Sequence, residues 1–242
     1  LTAIGLAPLA LMPVVMVALG RTIHRRFEAV QEHFGALTTH AHDDHVGGVA
    51  GVLKALPTAM WLHGDEMESG AGLANALSEA RWRGVPRRRL GPGSRLVLDR
   101  GVTLDALTPS SRLLTEDGTA NNASLGLLLA YGKSRFLLTG DAGAAEESSW
   151  LRQGSDLRAD VLKVGHHGAA TSASLGFLMT VRPRWAVISC GRNSPYGHPE
   201  ESTLVRLHMA GARVARTDED GGVRCVSDGR SVCVRDSRWA LP

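Results

Sequence analysis

The apolar positions of this chain fall into short, punctuated blocks that alternate between two periods. Gly35 to Thr39 is a compact apolar run of strand length, while Val46 to Leu56 repeats apolar residues at helical spacing and stops before Pro57. The same alternation continues. Thr58 to Leu62 predicts a short strand and Asp65 to Arg83 a helix with an acidic first turn. Arg95 to Leu98 with Val102 to Leu107 predicts a hairpin, and Thr108 to Ala120 a polar loop. Leu125 to Ala130 and Arg135 to Thr139 pair around Tyr131-Gly-Lys-Ser134, and Ala142 to Gln153 forms a helix ended by Gly154. Strands at Val161 to Val164 and Trp185 to Ser189 flank a helix over Ala173 to Val181. A last helix covers Pro199 to Ala210, and Arg213 to Val234 supplies the final strands. Periodicity alone supports a mixed α/β domain.

Leu1 to Gly20 breaks the pattern. It carries no charge and is long enough to cross a bilayer, with Pro8 and Pro13 as kinks and Arg21, Arg25 and Arg26 after it. By the positive-inside rule that order favours an anchor with the rest of the chain on the cytoplasmic side. Residues 1–20 are therefore expected to be either a membrane anchor or the remnant of a fragment, and residues 21–242 the folded domain. Membrane association is the favoured location, and the cytoplasm the alternative if the segment does not insert.

Composition narrows little further. The 242 residues are 43% hydrophobic, enough to bury a full core. The net charge of +3 is compatible with a polyanionic substrate without requiring one. Arg81, Arg83, Arg87, Arg88 and Arg89 cluster around Pro86, as a nucleic-acid backbone site or, more simply, a solvated charged loop. Cys190 ends an apolar strand as a small buried residue. Cys225 and Cys233 flank the turn signal Asp228-Gly229, where a three-residue loop would place them opposite one another and a two-residue loop on opposite faces.

The chemistry concentrates in Thr39-His-Ala-His-Asp-Asp-His-Val-Gly-Gly48, on the predicted strand-to-helix loop. Four residues of metal-ligating types, His40, His42, Asp44 and His45, stand within six positions. Imidazoles with a carboxylate suit zinc, manganese or iron. His40 and His42, two apart in extended chain, point to one side and can share one ion, while Asp44 and His45 turn toward a second. Further candidates recur in order: Asp141 in Leu137-Leu-Thr-Gly-Asp141, and His166 and His167 in Asp160-Val-Leu-Lys-Val-Gly-His-His-Gly168.

These motifs resemble the metallo-β-lactamase superfamily, whose signature is HxHxDH. Asn121-Asn-Ala-Ser124 and Cys190-Gly-Arg-Asn-Ser-Pro-Tyr-Gly-His-Pro199 narrow the likeness to the hydrolase domain of ComEC-type DNA-internalisation proteins, over about residues 22 to 235. The resemblance implies an αββα four-layer sandwich. The family's opening strands have no counterpart here, so the first strands are expected to be missing or altered. It also implies two divalent ions, zinc or manganese. His40 and His42 would hold the first ion, Asp44, His45 and His166 the second, and Asp141 would bridge them. Adjacent residues leaving a strand diverge, so only one of His166 and His167 is expected to ligate; His166 is preferred, with His167 on substrate or orienting a ligand.

Asp44 and His198 are the expected catalytic groups, Asp44 orienting the nucleophile and His198 donating a proton or hydrogen bonds. Asn122, Ser124, His167 and Asn193 are expected to bind substrate, and His63 to be an ordinary polar residue. The implied activity is metal-dependent phosphodiester hydrolysis of DNA during competence-related uptake, with DNA as partner and a separate membrane channel component. The alternatives are a hydrolase of a small phosphodiester, thioester or lactone, and an inactive fragment or binding module.

Overall fold

The computed structural model describes residues 36–38, 43–64, 70–91, 93–99, 101–107 and 124–236. The apolar segment 1–20 and the polar loop Thr108 to Ala120 lie outside them. Among the described residues no helix is long and apolar enough to cross a membrane.

Two sheets form the centre. The smaller is parallel, in the order β1 (Ala36–Thr38), β2 (Trp61–His63), β3 (Arg87–Arg89). The larger has seven strands: β4 (Arg95–Asp99), β5 (Val102–Leu107), β6 (Gly126–Tyr131), β7 (Ser134–Leu138), β8 (Val161–Lys163), β9 (Trp185–Ile188) and β10 (Arg213–Arg216). They lie side by side in sequence order, antiparallel from β4 to β7 and parallel from β7 to β10. A hairpin of β11 (Val223–Ser227) and β12 (Val232–Asp236) completes the strands.

Strand alternation sorts the large sheet's side chains into two cores. Leu127, Leu129, Phe136, Val161 and Val187 face the small sheet and cluster with Leu62. Their neighbours Leu128, Leu137, Leu162, Ala186 and Ile188 point the other way. There they meet α4 (Ala144–Arg152), α5 (Leu175–Val181) and α6 (Glu201–Met209), around Trp150, Phe177 and Leu207. A third cluster joins Trp61 of the small sheet to α2 (Val49–Ala55) and α3 (Ala71–Trp82) through Val49, Leu53, Leu73, Ala76 and Ala80. Helices, small sheet, large sheet and helices thus stack as an αββα sandwich.

Boundaries differ from the periodicity in instructive places. The helix expected from Val46 divides into α1 (Asp43–Val46) and α2, because Gly47 and Gly48 form a turn between them. Arg87–Arg89, expected as a charged loop, forms edge strand β3 beside β2. In the C-terminal hairpin four residues separate the last pair, Ser227 and Val232, so the register sets Cys225 against Val234 and Cys233 against Val226. The two thiols lie on opposite faces and are free. Cys190 is buried as expected, its Sγ 3.0 Å from Asp218 Oδ1, and burial pushes the thiol up to about 12.

Candidate metal centre

Asp141 is delivered by the turn between β7 and α4. Gly140, at φ +57°, reverses the backbone, and the Asp141 N–H donates to Ser124 Oγ at 3.1 Å. Thr139 Oγ1 donates to the Lys163 carbonyl at 2.8 Å, tying this turn to β8. Asp141 is only 2% exposed, so an isolated carboxylate there would be expensive. Its Oδ2 is instead 3.2 Å from His45 Nε2 and 3.7 Å from His167 Nε2.

His45 sits in the first helical turn after the motif loop, on α1, and is 9% exposed. His167 comes from a one-turn 3-10 segment, His166–Gly168, that follows β8. Both histidines there have positive φ, +46° and +54°, a strained conformation for residues with a Cβ. The flanking glycines explain how the turn fits. A Cβ on Gly165 would stand 2.5 Å from the Ala142 carbonyl oxygen, and one on Gly168 would stand 2.7 Å from Pro199 Cβ.

His167 Nδ1 lies 2.8 Å from the Ser189 carbonyl, which can only accept, so Nδ1 carries the proton and Nε2 presents its lone pair. A backbone carbonyl on the far ring nitrogen is the kind of contact that orients an imidazole able to bind metal. Nothing in the sequence marks it, since it simply ends the β9 run.

The ligand atoms of His45, Asp141 and His167 all lie within 4.8 Å of one another. Two donors on one ion, each at about 2.0–2.2 Å, stand roughly 3.3 Å apart in tetrahedral geometry, so separations of 3.2 and 3.7 Å suit a shared divalent cation. Two imidazoles and a carboxylate are also a chemically suitable set.

The remaining expected residues are placed as follows. His40, His42 and Asn122 lie outside the described residues. Asp44 lies in α1 beside His45, with its side chain likewise outside them. His166 does not join the three-residue group; the structure brings His167 there instead. The His166 ring is 6.3 Å from that of His167 and 5.7 Å from that of His198. Burial, chiefly, holds both His166 and His198 below the usual imidazole range. His198 stacks on Tyr196 with ring centres 6.0 Å apart, and its Nδ1 has no hydrogen-bond partner among the described residues. Ser124 is fully buried beneath Asp141 rather than displayed to solvent, and Asn193 is exposed in the turn Gly191–Ser194. His63 is bound through Nδ1 to the Gly64 carbonyl at 2.8 Å. One neighbour escaped the sequence reading: Lys163, 8% exposed, whose Nζ donates to the Gly140 carbonyl at 3.3 Å.

Fold and donor set point the same way as the sequence comparisons. A family model, the Metallo-beta-lactamase superfamily, matches residues 35–192. The chain belongs to the metallo-beta-lactamase superfamily. Within it, the chain is 31% identical over 188 residues to ComE operon protein 3 of Bacillus subtilis, covering 78% of this chain and 24% of that one. It is 32% identical over 187 residues to Competence protein ComA of Neisseria gonorrhoeae, covering 77% of this chain and 24% of the relative. These are the ComEC-type competence proteins that the motifs resemble. The chain spans about a quarter of their length. Among solved structures, CmlA beta-hydroxylase (E377D mutant) superposes with a TM-score of 0.52 at 13% identity, over 76% of this chain and 42% of that one, a likeness of fold alone. A superfamily hydrolase related to competence proteins, with a candidate metal site at His45, Asp141 and His167, is therefore established.

Proposed function

We propose that this domain is a metal-dependent phosphodiesterase that cleaves DNA during competence-related uptake. The observation that carries the reading is the convergence of His45, Asp141 and His167 in a chain related across more than three quarters of its length to competence proteins. Two ions, zinc or manganese, would be held by His40 and His42 on one side, by Asp44, His45 and His167 on the other, and by Asp141 between them. When bound, they would lower the pKa of water to roughly 7 and neutralise charge on the phosphoryl oxygens.

The protein's own groups do the rest. Ser124 fixes the backbone of Asp141, and Ser189 sets the tautomer of His167. Asp44 orients the nucleophile. His166 and His198, neighbours with rings 5.7 Å apart, offer nitrogens to the phosphate and to the leaving oxygen. Asn122 and Asn193 supply further amide donors to substrate. DNA is the partner, and a membrane channel component, on the same polypeptide or a separate one, would present it, with residues 1–20 a further candidate for membrane contact.

Incubation with end-labelled single-stranded DNA is expected to give cleavage with manganese or zinc and none with excess chelator. A folded, metal-loaded protein that leaves DNA intact but hydrolyses a small phosphodiester, thioester or lactone would replace this reading with that of a small-ester hydrolase.

A further inference from the structure

The small sheet ends in an unusual edge. All three residues of β3, Arg87, Arg88 and Arg89, are exposed, and α3 runs out beside them in Arg81, Trp82 and Arg83, exposed too. Trp82 is 77% exposed, the most solvent-facing large aromatic position of the described residues together with Tyr196. An indole left in water next to five arginines within residues 81–89 is not explained by the core, which α3 already serves through Leu73, Ala76 and Ala80.

The patch is ordered. Arg83 lies 5.1 Å over the Trp82 ring and its Nε is 2.5 Å from Glu79 Oε1, while Arg87 lies 4.8 Å over the buried Trp61 ring. Arg87 thus serves packing as well as charge. Arg88 faces the opposite side of β3 from its two neighbours, so positive charge lines both faces of the edge.

Register relates this edge to the metal centre. The parallel pairing sets Thr38, His63 and Arg89 level with one another at the C-terminal ends of the three strands. Thr38 is where the chain enters the histidine motif that leads to His45. With about 4.8 Å between strands, Arg89 stands roughly 10 Å from Thr38, on the same end of the sheet. Cationic side chains that follow a backbone, interleaved with an aromatic platform, are the combination that holds single strands without sequence preference.

We propose that β3 and the end of α3 form a docking track for single-stranded DNA, with Arg81, Arg88 and Arg89 contacting phosphates and Trp82 stacking on a base. The track rests on the nuclease reading for its purpose, but its binding is measurable without cleavage. Charge complementarity selects the occupant: exposed arginines on both the edge strand and the helix end fit a polyanion.

The test is fluorescence anisotropy of a labelled oligothymidylate in chelator, across a salt series, with the wild type, the triple variant Arg81→Ala/Arg88→Ala/Arg89→Ala, and Trp82→Ala. Wild-type affinity is expected to fall steeply with salt. The triple variant should bind at least about tenfold more weakly at low salt, its log–log salt slope shallower by roughly 2, from about 0.7 per lost phosphate contact. Trp82→Ala should weaken binding roughly tenfold with the slope unchanged. Arg87 is retained so that its contact with Trp61 keeps the fold, and an unaltered thermal midpoint verifies this.

A folded triple variant that binds like wild type overturns the track, as does a wild type that ignores the oligonucleotide but binds phosphatidylglycerol vesicles. Binding lost in the variants but no cleavage by wild type with manganese supports the track and removes the nuclease reading. Cleavage by wild type with unchanged binding and cleavage in both variants does the reverse.

Discussion

Asp141→Asn is expected to lower metal-dependent hydrolysis by roughly 10²–10³-fold while the metal-free protein stays folded. The carboxylate is buried, and its Oδ2 lies within 3.7 Å of both His45 Nε2 and His167 Nε2. Asparagine keeps the shape and the backbone hydrogen bond from Asp141 to Ser124, but it removes the negative charge that a divalent cation needs. The same change relieves the metal-free protein of a buried anion, so thermal stability without metal should hold or rise. Metal-induced stabilisation should fall, because binding energy is added only to a native state that binds. Thermal unfolding with and without manganese, alongside turnover, separates the two effects. Loss of the fold without metal would mean that Asp141 is structural, and unimpaired turnover would remove it from the site.

The second large effect concerns the loop that leads from His167 to α5. Glu147, on α4 and 1% exposed, accepts the N–H groups of Ala173 at 2.6 Å and Ser174 at 2.8 Å. Arg206 of α6 donates from Nη2 to the carbonyls of Ala170 and Ser172 and from Nε to that of Ala173. The two side chains clamp the segment between the histidines and α5. Burial pushes the Glu147 carboxyl up to about 7, against the opposing pull of its hydrogen bonds and of Arg206. In the unfolded chain the same group releases its proton near 4.5. Between those values the folded protein holds a proton that the unfolded chain has lost, so this group's contribution to stability is present in full below pH 4.5. It falls as pH rises toward 7, by about 3 kcal/mol over the window. Glu147→Gln cannot titrate. Urea unfolding from pH 4.5 to 7.5 should therefore show a smaller loss of stability with rising pH in the variant than in wild type. Parallel pH profiles for the two proteins would show that Glu147 titrates alike folded and unfolded.

How much of this was legible in the sequence depends on how local the determinant is. Asp141 was readable because an apolar strand, a glycine turn and a helix start sit consecutively in the chain, and the structure keeps that order. The face alternation of β6 to β9 was equally local. The choice between His166 and His167 was not. Strand alternation governs side chains only while the backbone remains extended, and here it leaves that conformation after Gly165 for two positive-φ residues in a 3-10 turn. The carbonyl that holds His167, that of Ser189, is twenty-two residues away, which no spacing rule reaches. Edge strand β3 was hidden for a related reason. Three exposed arginines have no apolar alternation, and only pairing with β2 makes them a strand. Ser124 was found as part of a motif, but its burial under Asp141 depends on β6 and β7 lying side by side.

Metal content tests the central claim most directly. Wild type, His167→Ala and His166→Ala would each be loaded with manganese or zinc, desalted, and assayed for bound ion per chain by elemental analysis. A centre built on His45, Asp141 and His167 predicts that His167→Ala loses bound metal or binds it far more weakly, while His166→Ala retains the wild-type amount. Equal retention by His167→Ala and wild type, or loss confined to His166→Ala, would contradict it.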